Sequence, residues 1–128
     1  IVKAAKDQIL KNVGVAYIDL NGLKAINDNY GHSKGDKFIC TAADTFKMVF
    51  PDNSYRVGGD EFVIIEQNIE RDKYEERITA LKNIMQDKQV SISIGVLWRE
   101  QVDDLEALLK AADKLMYMEK EMYHKSRE

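Results

Sequence analysis

The chain has 128 residues, which is enough for one domain with a hydrophobic core. Apolar residues make up 45% of the chain and charged residues 32%, as is ordinary for a soluble globular protein. The net charge of -3 argues against a general nucleic-acid binder, because such proteins normally carry a basic face.

The cysteine count and the hydropathy pattern favour a cytoplasmic domain. Cys40 is the single cysteine, so no internal disulfide can form, and we expect a small buried residue. No apolar run approaches the roughly 18 residues of a membrane span, and no signal peptide is visible. We therefore expect no membrane contact by this domain, although its parent chain could be membrane-anchored. The chain begins at Ile1 without Met, so residues 1–128 are interpreted as one domain, an N-terminally truncated fragment of a longer protein.

The first third of the chain carries one helix signal and one strand signal. Residues 1–12 place apolar side chains on roughly one face, which predicts a helix. Residues 13–20, VGVAYIDL, are nearly all apolar, which is typical of a strand buried on both faces. The Gly- and Asn-rich connection over residues 21–32 predicts one or two helical turns.

The next helix has both a start and a stop signal. Ser33 followed by Asp36 resembles a capping box, with Asp in place of the usual Glu. Pro51 and Asn53 end the helical pattern. Its apolar face is predicted to contain Phe38, Ile39, Ala42, Ala43, Phe46, Val49 and Phe50.

The second half of the chain predicts two strands joined by a tight turn, a helix, a third strand and a last helix. SYRVGGDEFVII, residues 54–65, reads as a strand pair around a tight turn, and residues 71–86 as an amphipathic helix. Residues 90–98 alternate as a strand, and Asp103 with Glu106 predicts the cap of the last helix.

The predicted order of helices and strands is α, β, α, β, β, α, β, α. A hairpin between two crossover helices is the ferredoxin-like split βαβ plan, here with an added first helix. The fold class is therefore α+β, with a central, mainly antiparallel, palm-like sheet. The basic plan packs its helices on one side of the sheet, and for this chain we expect a sheet surrounded by helices.

The acidic residues at the hairpin tip are not explained by turn formation alone. Asp60 and Glu61 follow Gly58 and Gly59, and adjacent like charges stabilise no ordinary turn. Asp19 ends the first strand, where it either caps a turn or acts as a ligand. In a split βαβ sheet the two sites are neighbours, and paired carboxylates must share a proton or a cation. Oxygen ligands of this kind suit Mg²⁺, and paired acids on a palm-like sheet fit two-metal attack on a phosphate.

Two further groups could bind a nucleotide. Gly22 and the Leu23 amide could cradle a phosphate at a helix start beside Lys24, but taken alone these residues are more simply explained as a turn glycine and a solvated lysine. Asn27 and Asp36 have the donors and acceptors that guanine requires, yet they also fit a turn and a cap.

RVGGDEF with DLNGLKAINDNYGHSKGD upstream resembles the GGDEF family of diguanylate cyclases. VSISIGV and LLKAADKLMYMEK also match that family, so the resemblance runs from about Val13 to Lys120. It implies a nucleotide-cyclase-type palm that condenses two GTP into cyclic di-GMP and two pyrophosphates. Each domain holds one GTP with two Mg²⁺ or Mn²⁺ ions. In a homodimer, the 3′-hydroxyl of one GTP attacks the α-phosphate of the other.

The resemblance implies a role for each matching residue. Asp19, Asp60 and the Leu20 carbonyl hold the metal; Asp60 also activates the hydroxyl, and Glu61 supports the site. The implied substrate-binding residues are Gly22, Leu23, Lys24, Asn27, Asp36, Gly58, Gly59 and Lys120. Among these, the Asn and the second Asp contact guanine, the lysines contact phosphate, and the tip glycines leave room for ribose and α-phosphate.

The chain departs from the family pattern at several places. Tyr123, His124 and Lys125 replace the usual Gly-Arg-Asn, so a histidine stands at the phosphate-binding arginine and Lys125 or Arg127 would have to replace it. The usual Asp-x-Leu-Thr-Gly-Leu-x-Asn-Arg lead-in is absent.

The product-inhibition motif is also incomplete. Asp52 matches the aspartate of that RxxD motif, but Val49 stands at its arginine, so no allosteric inhibition site is expected.

Three functions remain open from the sequence. The first is an active cyclase with GTP, a homodimeric partner and flanking sensor or effector domains. The second is a non-catalytic, GTP-binding regulatory module of a larger signalling protein. The third is a structural or dimerisation module without GTP binding.

Overall fold

The computed structural model describes residues 9–126. The strands are β1 (Leu10–Leu20), β2 (Ser54–Gly58), β3 (Glu61–Glu66) and β4 (Ile92–Val102). The helices are α1 (Leu23–Tyr30), α2 (His32–Val49), α3 (Arg71–Asp87) and α4 (Leu105–Ser126). Among these helices, none combines the length and the apolar character that a bilayer span needs.

One sheet organises the described residues. Its strand order is β2-β3-β1-β4, and each neighbouring pair is antiparallel. This is the order of a split βαβ plan, and the predicted α+β fold is confirmed. Pairing places Asp19 opposite Glu61 on one side and opposite Ser93 on the other. Because directly paired residues share a face of the sheet, these three side chains project to the same side.

Helices cover both faces of the sheet, which confirms the predicted sheet surrounded by helices, whereas packing on one side alone, as in the basic plan, is wrong. Side chains alternate along β1. Ile18 and Leu20 pack with α2 and α3, whereas Val15 packs with α4. The first face also buries Phe46, Phe50, Tyr74, Ile78, Leu81 and Met85, and the second buries Val63, Ile65, Leu105, Leu108 and Ala112.

Gly95 lets α4 lie directly against the sheet. A Cβ at this position would overlap the carbonyl oxygen of Ala112 and lie 2.6 Å from the backbone nitrogen of Met116. The backbone of α4 therefore crosses β4 in contact with it. Lys120 follows Met116 by about one helical turn, which brings its side chain to the end of β1.

The predicted helix over residues 1–12 is wrong where it can be compared. Leu10, Lys11 and Asn12 belong to β1, because Leu10 and Lys11 pair with Val102 and Gln101 of β4. Residues 1–8 of that prediction lie outside the described part of the chain.

Both predicted helix caps need correction. Helix α2 begins at His32 after Gly31, whose φ of 89° and ψ of 163° suit glycine alone, and Ser33 therefore lies inside the first turn. No side chain caps this helix. For α4, Asp104 rather than Asp103 accepts the Ala107 N–H through Oδ1 at 3.1 Å.

Cys40 is exposed, contrary to the prediction of a buried thiol. It lies on α2, whose buried residues include Ala42 and Phe46. Position 40 lies at the edge of the buried face, beside a solvent-open cleft that Tyr55 and Arg56 of β2 also line.

Candidate active site

The end of β1 and the hairpin tip lie side by side, as the topology predicts. Asp19 is 3% exposed and is paired in register with Glu61. The Leu20 N–H donates to the carbonyl oxygen of Asp60 at 2.9 Å. This hydrogen bond fastens the hairpin tip to the strand end, so Asp19 and Asp60 are brought into one site.

The two oxygens of Asp19 have different surroundings. Lys120 Nζ lies 2.7 Å from Oδ2, whereas Oδ1 is buried and has no hydrogen-bond partner among residues 9–126. Burial raises the pKa of Asp19, the hydrogen bond from Lys120 opposes that shift, and the charge of Asp60 adds to it. A hydrogen bond between these two carboxylates would require a shared proton, and a shared cation is the alternative.

Glu61 adds a third carboxylate to the site. Burial raises its pKa, and the charges of Asp19, Asp113 and Asp60 raise it further. The Tyr17 hydroxyl donates to Glu61 Oε1 at 3.4 Å and partly opposes this shift. The pKa of Tyr17 is itself raised, first by burial and then by Glu61.

These donors fit a hard divalent cation that keeps some of its water. Asp19 and Asp60 have carboxylate oxygens, and Leu20, whose N–H bonds to the Asp60 carbonyl, has its own carbonyl at the end of β1. Within residues 9–126 there is no cluster of three His, Cys, Asp or Glu side chains that could hold a metal alone. Mg²⁺ commonly takes one or two carboxylates and completes its shell with waters and substrate phosphates. The unpartnered buried oxygen of Asp19 is the observation that supports such an ion.

A cleft of about 470 Å³ opens beside the acidic residues. Six of the residues implied by the resemblance line it: Leu20, Gly22, Leu23, Lys24, Asp60 and Lys120. The other lining residues are Asn21, Ala25, Asp28, Tyr123 and His124. Two lysines, two aspartates and the first residues of α1 therefore line one cleft, a combination that suits a phosphate chain with its counterion.

Gly22 forms the start of α1 at this cleft. Its φ of 80° and ψ of 10° are left-handed, and no side chain caps the helix. Its carbonyl accepts the Ile26 N–H at 3.0 Å, which closes the first turn. The first amides of a helix lack intrahelical partners, so the Leu23 N–H is available to an acceptor in the cleft.

Asn27 and Asp36 lie at the corner between α1 and α2, outside this cleft. A Cβ at Gly35 would overlap Asn27 Oδ1, so the asparagine side chain lies directly over α2. Asp36 is the next residue along and is exposed. The two predicted guanine contacts are therefore close to each other and separate from the phosphate-sized space.

The hairpin tip is open. A Cβ at Gly58 or at Gly59 would meet no atom within 4 Å. Arg56 donates to the Gly59 carbonyl through Nε at 2.9 Å and through Nη2 at 2.6 Å, and thereby braces the tip. Sequence reasoning missed this brace, although an arginine three residues before a glycine turn is within reach of it.

The structure also shows where the residues that depart from the family pattern lie. His124 lines the cleft beside Tyr123, with ring centroids 5.5 Å apart. Lys125 and Asp52 are exposed, and Val49 is half-buried at the end of α2. Arg127 lies outside the described residues.

Sequence reasoning also assigned no role to Asn21, which is 5% exposed. Its Nδ2 donates to Ser91 Oγ at 3.0 Å, and its Oδ1 accepts from Ser93 Oγ at 2.9 Å. The sequence VSISIGV could have indicated these hydrogen bonds, because its two serines alternate with apolar residues in a predicted strand and therefore share one face.

The fold and the site together define an α+β palm domain with paired acids beside a phosphate-sized cleft. The model of the family described as diguanylate cyclase, GGDEF domain, matches residues 2–126. The chain belongs to this family.

Relatives and a solved structure agree with this assignment. The signaling protein YkoW of Bacillus subtilis is 38% identical over 124 residues, covering 86% of this chain and 15% of that protein. The diguanylate cyclase VdcA of Vibrio cholerae is 32% identical over 126 residues, covering 88% of this chain and 37% of that protein. The active GGEEF domain of a diguanylate cyclase from Vibrio cholerae superposes with a TM-score of 0.72 at 25% identity, covering 84% of this chain and 76% of that one. The chain thus spans well under half the length of these two relatives.

Proposed function

We propose that this domain is a diguanylate cyclase that condenses two GTP molecules into cyclic di-GMP and two pyrophosphates. The observation that carries the proposal is Asp19, which is buried near Asp60 and has one unpartnered oxygen. Its other oxygen contacts Lys120, which lines the cleft together with Asp60 and Lys24. Neighbouring buried carboxylates are stabilised by a shared cation or a shared proton, and the adjoining space suits the phosphates of a nucleotide that would accompany a cation.

Asp19, Asp60 and the Leu20 carbonyl would hold Mg²⁺ or Mn²⁺, two ions per active site. When bound, the ions supply a lower pKa for the attacking hydroxyl and neutralise charge on the phosphates. Glu61 supports the site through its charge and its hydrogen bond to Tyr17. Asp60, at the open tip, takes the proton of the 3′-hydroxyl.

The cleft residues bind the triphosphate. Lys24 and Lys120 provide positive charge, and the amides of Gly22 and Leu23 point to a phosphate at the start of α1. Lys120 already contacts Asp19, so it can bridge the acidic site and the phosphates. His124 lies in the same cleft and takes the place of the family arginine.

Guanine would be recognised at the α1–α2 corner. Asp36 accepts from the N1–H and the 2-amino group, and Asn27 serves the remaining edge. The exposed Gly58 and Gly59 leave space at the tip for the ribose and the α-phosphate.

Each domain provides one GTP site, so the reaction requires a second copy facing it about a two-fold axis. The hydroxyl of one nucleotide then attacks the α-phosphate of the other in line. Flanking sensor or effector domains of a longer cytoplasmic chain would hold the two copies in register.

The test is cyclic di-GMP formation from GTP and Mg²⁺ at high protein concentration, with Asp60→Ala as the matched control. We expect product from the wild type and at least about a hundredfold less from the variant, because an essential metal ligand and base is removed. Absence of product from a well-folded, dimeric wild type would refute the proposal.

His124 favours a second candidate, a GTP-binding regulatory module without turnover. A histidine provides a weaker and pH-dependent contact to phosphate than an arginine does. Calorimetric titration with GTP and Mg²⁺ separates the two functions: binding without product supports the regulatory module. Absence of binding refutes both and leaves a structural or dimerisation module.

A further inference from the structure

Asn21 connects the β1–α1 turn to β4 through every polar group of its side chain. Nδ2 donates to Ser91 Oγ at 3.0 Å and Oδ1 accepts from Ser93 Oγ at 2.9 Å. The backbone N–H of Asn21 donates to the Ser91 carbonyl at 2.9 Å. Asn21 and Ser93 are buried, so these bonds form in a region where an unpartnered polar group is costly.

The neighbours of Asn21 on both sides face the proposed metal and phosphate. Leu20, which precedes it, is fastened to the hairpin through Asp60 and lines the cleft. Gly22, which follows it, is in the left-handed conformation that begins α1. A turn of three residues with a left-handed glycine has several alternative conformations, and the Asn21 side chain selects one of them by bonding to a rigid central sheet.

We propose that Asn21 is a positioning residue, which acts through the Asn21–Ser91–Ser93 hydrogen bonds to fix the Leu20 carbonyl and the Gly22 and Leu23 amides. This inference rests on the function proposed above, since it assigns those backbone groups to the metal and the phosphates. The polar groups of the Asn21 side chain bond to the two serines, so its role in binding is indirect.

An amide suits this role better than a carboxylate. Asn21 donates to one serine and accepts from the other, so both ends of the side chain are satisfied without charge. An Asp at this position would require both serine hydroxyls to donate. It would also add a buried negative charge next to a site that already contains Asp19, Asp60 and Glu61.

Ser91 gives the mildest test because it is exposed, and its replacement removes one hydroxyl without opening a cavity. The variants are Ser91→Ala, Ser91→Thr, which restores the hydroxyl, and Asn21→Ala. The matched control is Thr41→Ala, which loses a single hydroxyl bond to the Lys37 carbonyl in α2, away from the turn.

The measurements are affinity for a non-hydrolysable GTP analogue with Mn²⁺, and the amide ¹H–¹⁵N shifts of Gly22 and Leu23 in the nucleotide-free protein. We expect about fivefold weaker binding for Ser91→Ala, the factor that corresponds to one hydrogen bond of about 1 kcal/mol. Asn21→Ala is expected to weaken binding more, and the double variant no further than Asn21→Ala alone. The two amide signals should shift in Ser91→Ala, return in Ser91→Thr and stay unchanged in Thr41→Ala.

Two outcomes overturn the proposal: wild-type affinity of a folded Ser91→Ala protein, or amide signals that do not move. If Asn21→Ala fails to fold, the comparison of Ser91→Ala with Ser91→Thr still tests whether the hydrogen bonds to Asn21 fix the turn. A wild type that binds no analogue refutes the proposed function instead, while the amide shifts of the nucleotide-free protein still report whether Asn21 holds the turn.

Discussion

Lys120 occupies a position beside Asp19 that a divalent cation would also favour. Its ammonium lies 2.7 Å from Oδ2 of a carboxylate whose side chain is 5% exposed. A buried carboxylate is stable when a cation compensates its charge, and here a side chain of the protein provides one. The same lysine lines the cleft, so a phosphate and a metal ion together could draw it away from Asp19.

We expect Lys120→Met to destabilise the metal-free protein by about 2 kcal/mol. This is less than the loss of ~3–5 kcal/mol for a fully buried pair, because 26% of the lysine side chain is exposed. Mg²⁺ should restore more stability to the variant than to the wild type, since the ion takes the vacated place. Urea unfolding in EDTA and in Mg²⁺ measures both effects.

The control for this prediction is Lys24→Met, which removes an exposed lysine from the same cleft without removing the partner of Asp19. Its stability should stay close to that of the wild type. Equal stabilisation of Lys120→Met and the wild type by Mg²⁺ would show that lysine and metal do not compete.

Glu61 makes stability depend on pH. Its pKa is raised in the folded state, first by burial and then by Asp19, Asp113 and Asp60. The folded state therefore binds the proton more tightly than the unfolded state does. The resulting stabilisation is complete below the unfolded pKa of 4.5 and is lost as the pH rises through the folded pKa.

We expect Glu61→Gln to be more stable than the wild type at about pH 7, because the desolvated charge is absent. The advantage should disappear toward about pH 4, where Glu61 is protonated. Urea denaturation across this range measures it, with Glu121→Gln, an exposed change on α4, as the control. A pH-independent difference would contradict the electrostatic origin.

At the scale of elements, local sequence patterns predicted the presence of helices and strands more accurately than the residues at which they begin. The apolar face of α2 was identified correctly because helical period and burial agree. Its start was not, because Ser33 and Asp36 also fit a capping box, and only the conformation of Gly31 shows that the helix begins earlier. Asp103 and Asp104 are adjacent acids with the same local signal, so only the hydrogen bond to Ala107 distinguishes them.

Long-range pairing explains the other differences. Leu10 and Lys11 fit a helical period, but pairing with Val102 and Gln101 draws them into β1, and no local signal reports it. The approach of Asp19 to Asp60 could be predicted, since the topology alone makes their strands neighbours. The contact between Lys120 and Asp19 could not, because it depends on where α4 crosses the sheet.

We expect Gly95→Ala to cost about 2 kcal/mol, since the added methyl would overlap the α4 backbone and force the helix to shift. That shift should also displace Lys120 from Asp19. Gly59→Ala is the matched control, because its added methyl meets no atom within 4 Å. Thermal unfolding measures both, and similar midpoints for the two variants would exclude a tight helix–sheet contact at position 95.

At the scale of the whole molecule, the strand order decides what one domain can do alone. Placing β1 between β3 and β4 brings Asp19, Asp60 and Ser93 to one end of the sheet. The hairpin tip at that end is exposed at Gly58 and Gly59, which leaves it accessible to a second domain. Under the proposed function, one domain would offer half of the site that a reaction between two nucleotides requires.

We expect fusion of a dimerising coiled coil before the domain to raise specific activity, because the facing copy is then present at high effective concentration. Product formation per domain, measured at a fixed low protein concentration, tests this. The control is the same fusion with a monomeric helix of equal length. Unchanged activity after enforced dimerisation would show that pairing does not limit turnover.

The exposed thiol of Cys40 makes such pairing directly measurable. It is the single cysteine of the chain and is exposed on α2. One spin label or fluorophore per domain can therefore be attached without removing any other thiol. Distances between labels in a pair of domains would then report how the two copies face each other, with and without GTP. For the same reason, purification requires a reductant, since two such thiols can join domains through a bond unrelated to catalysis.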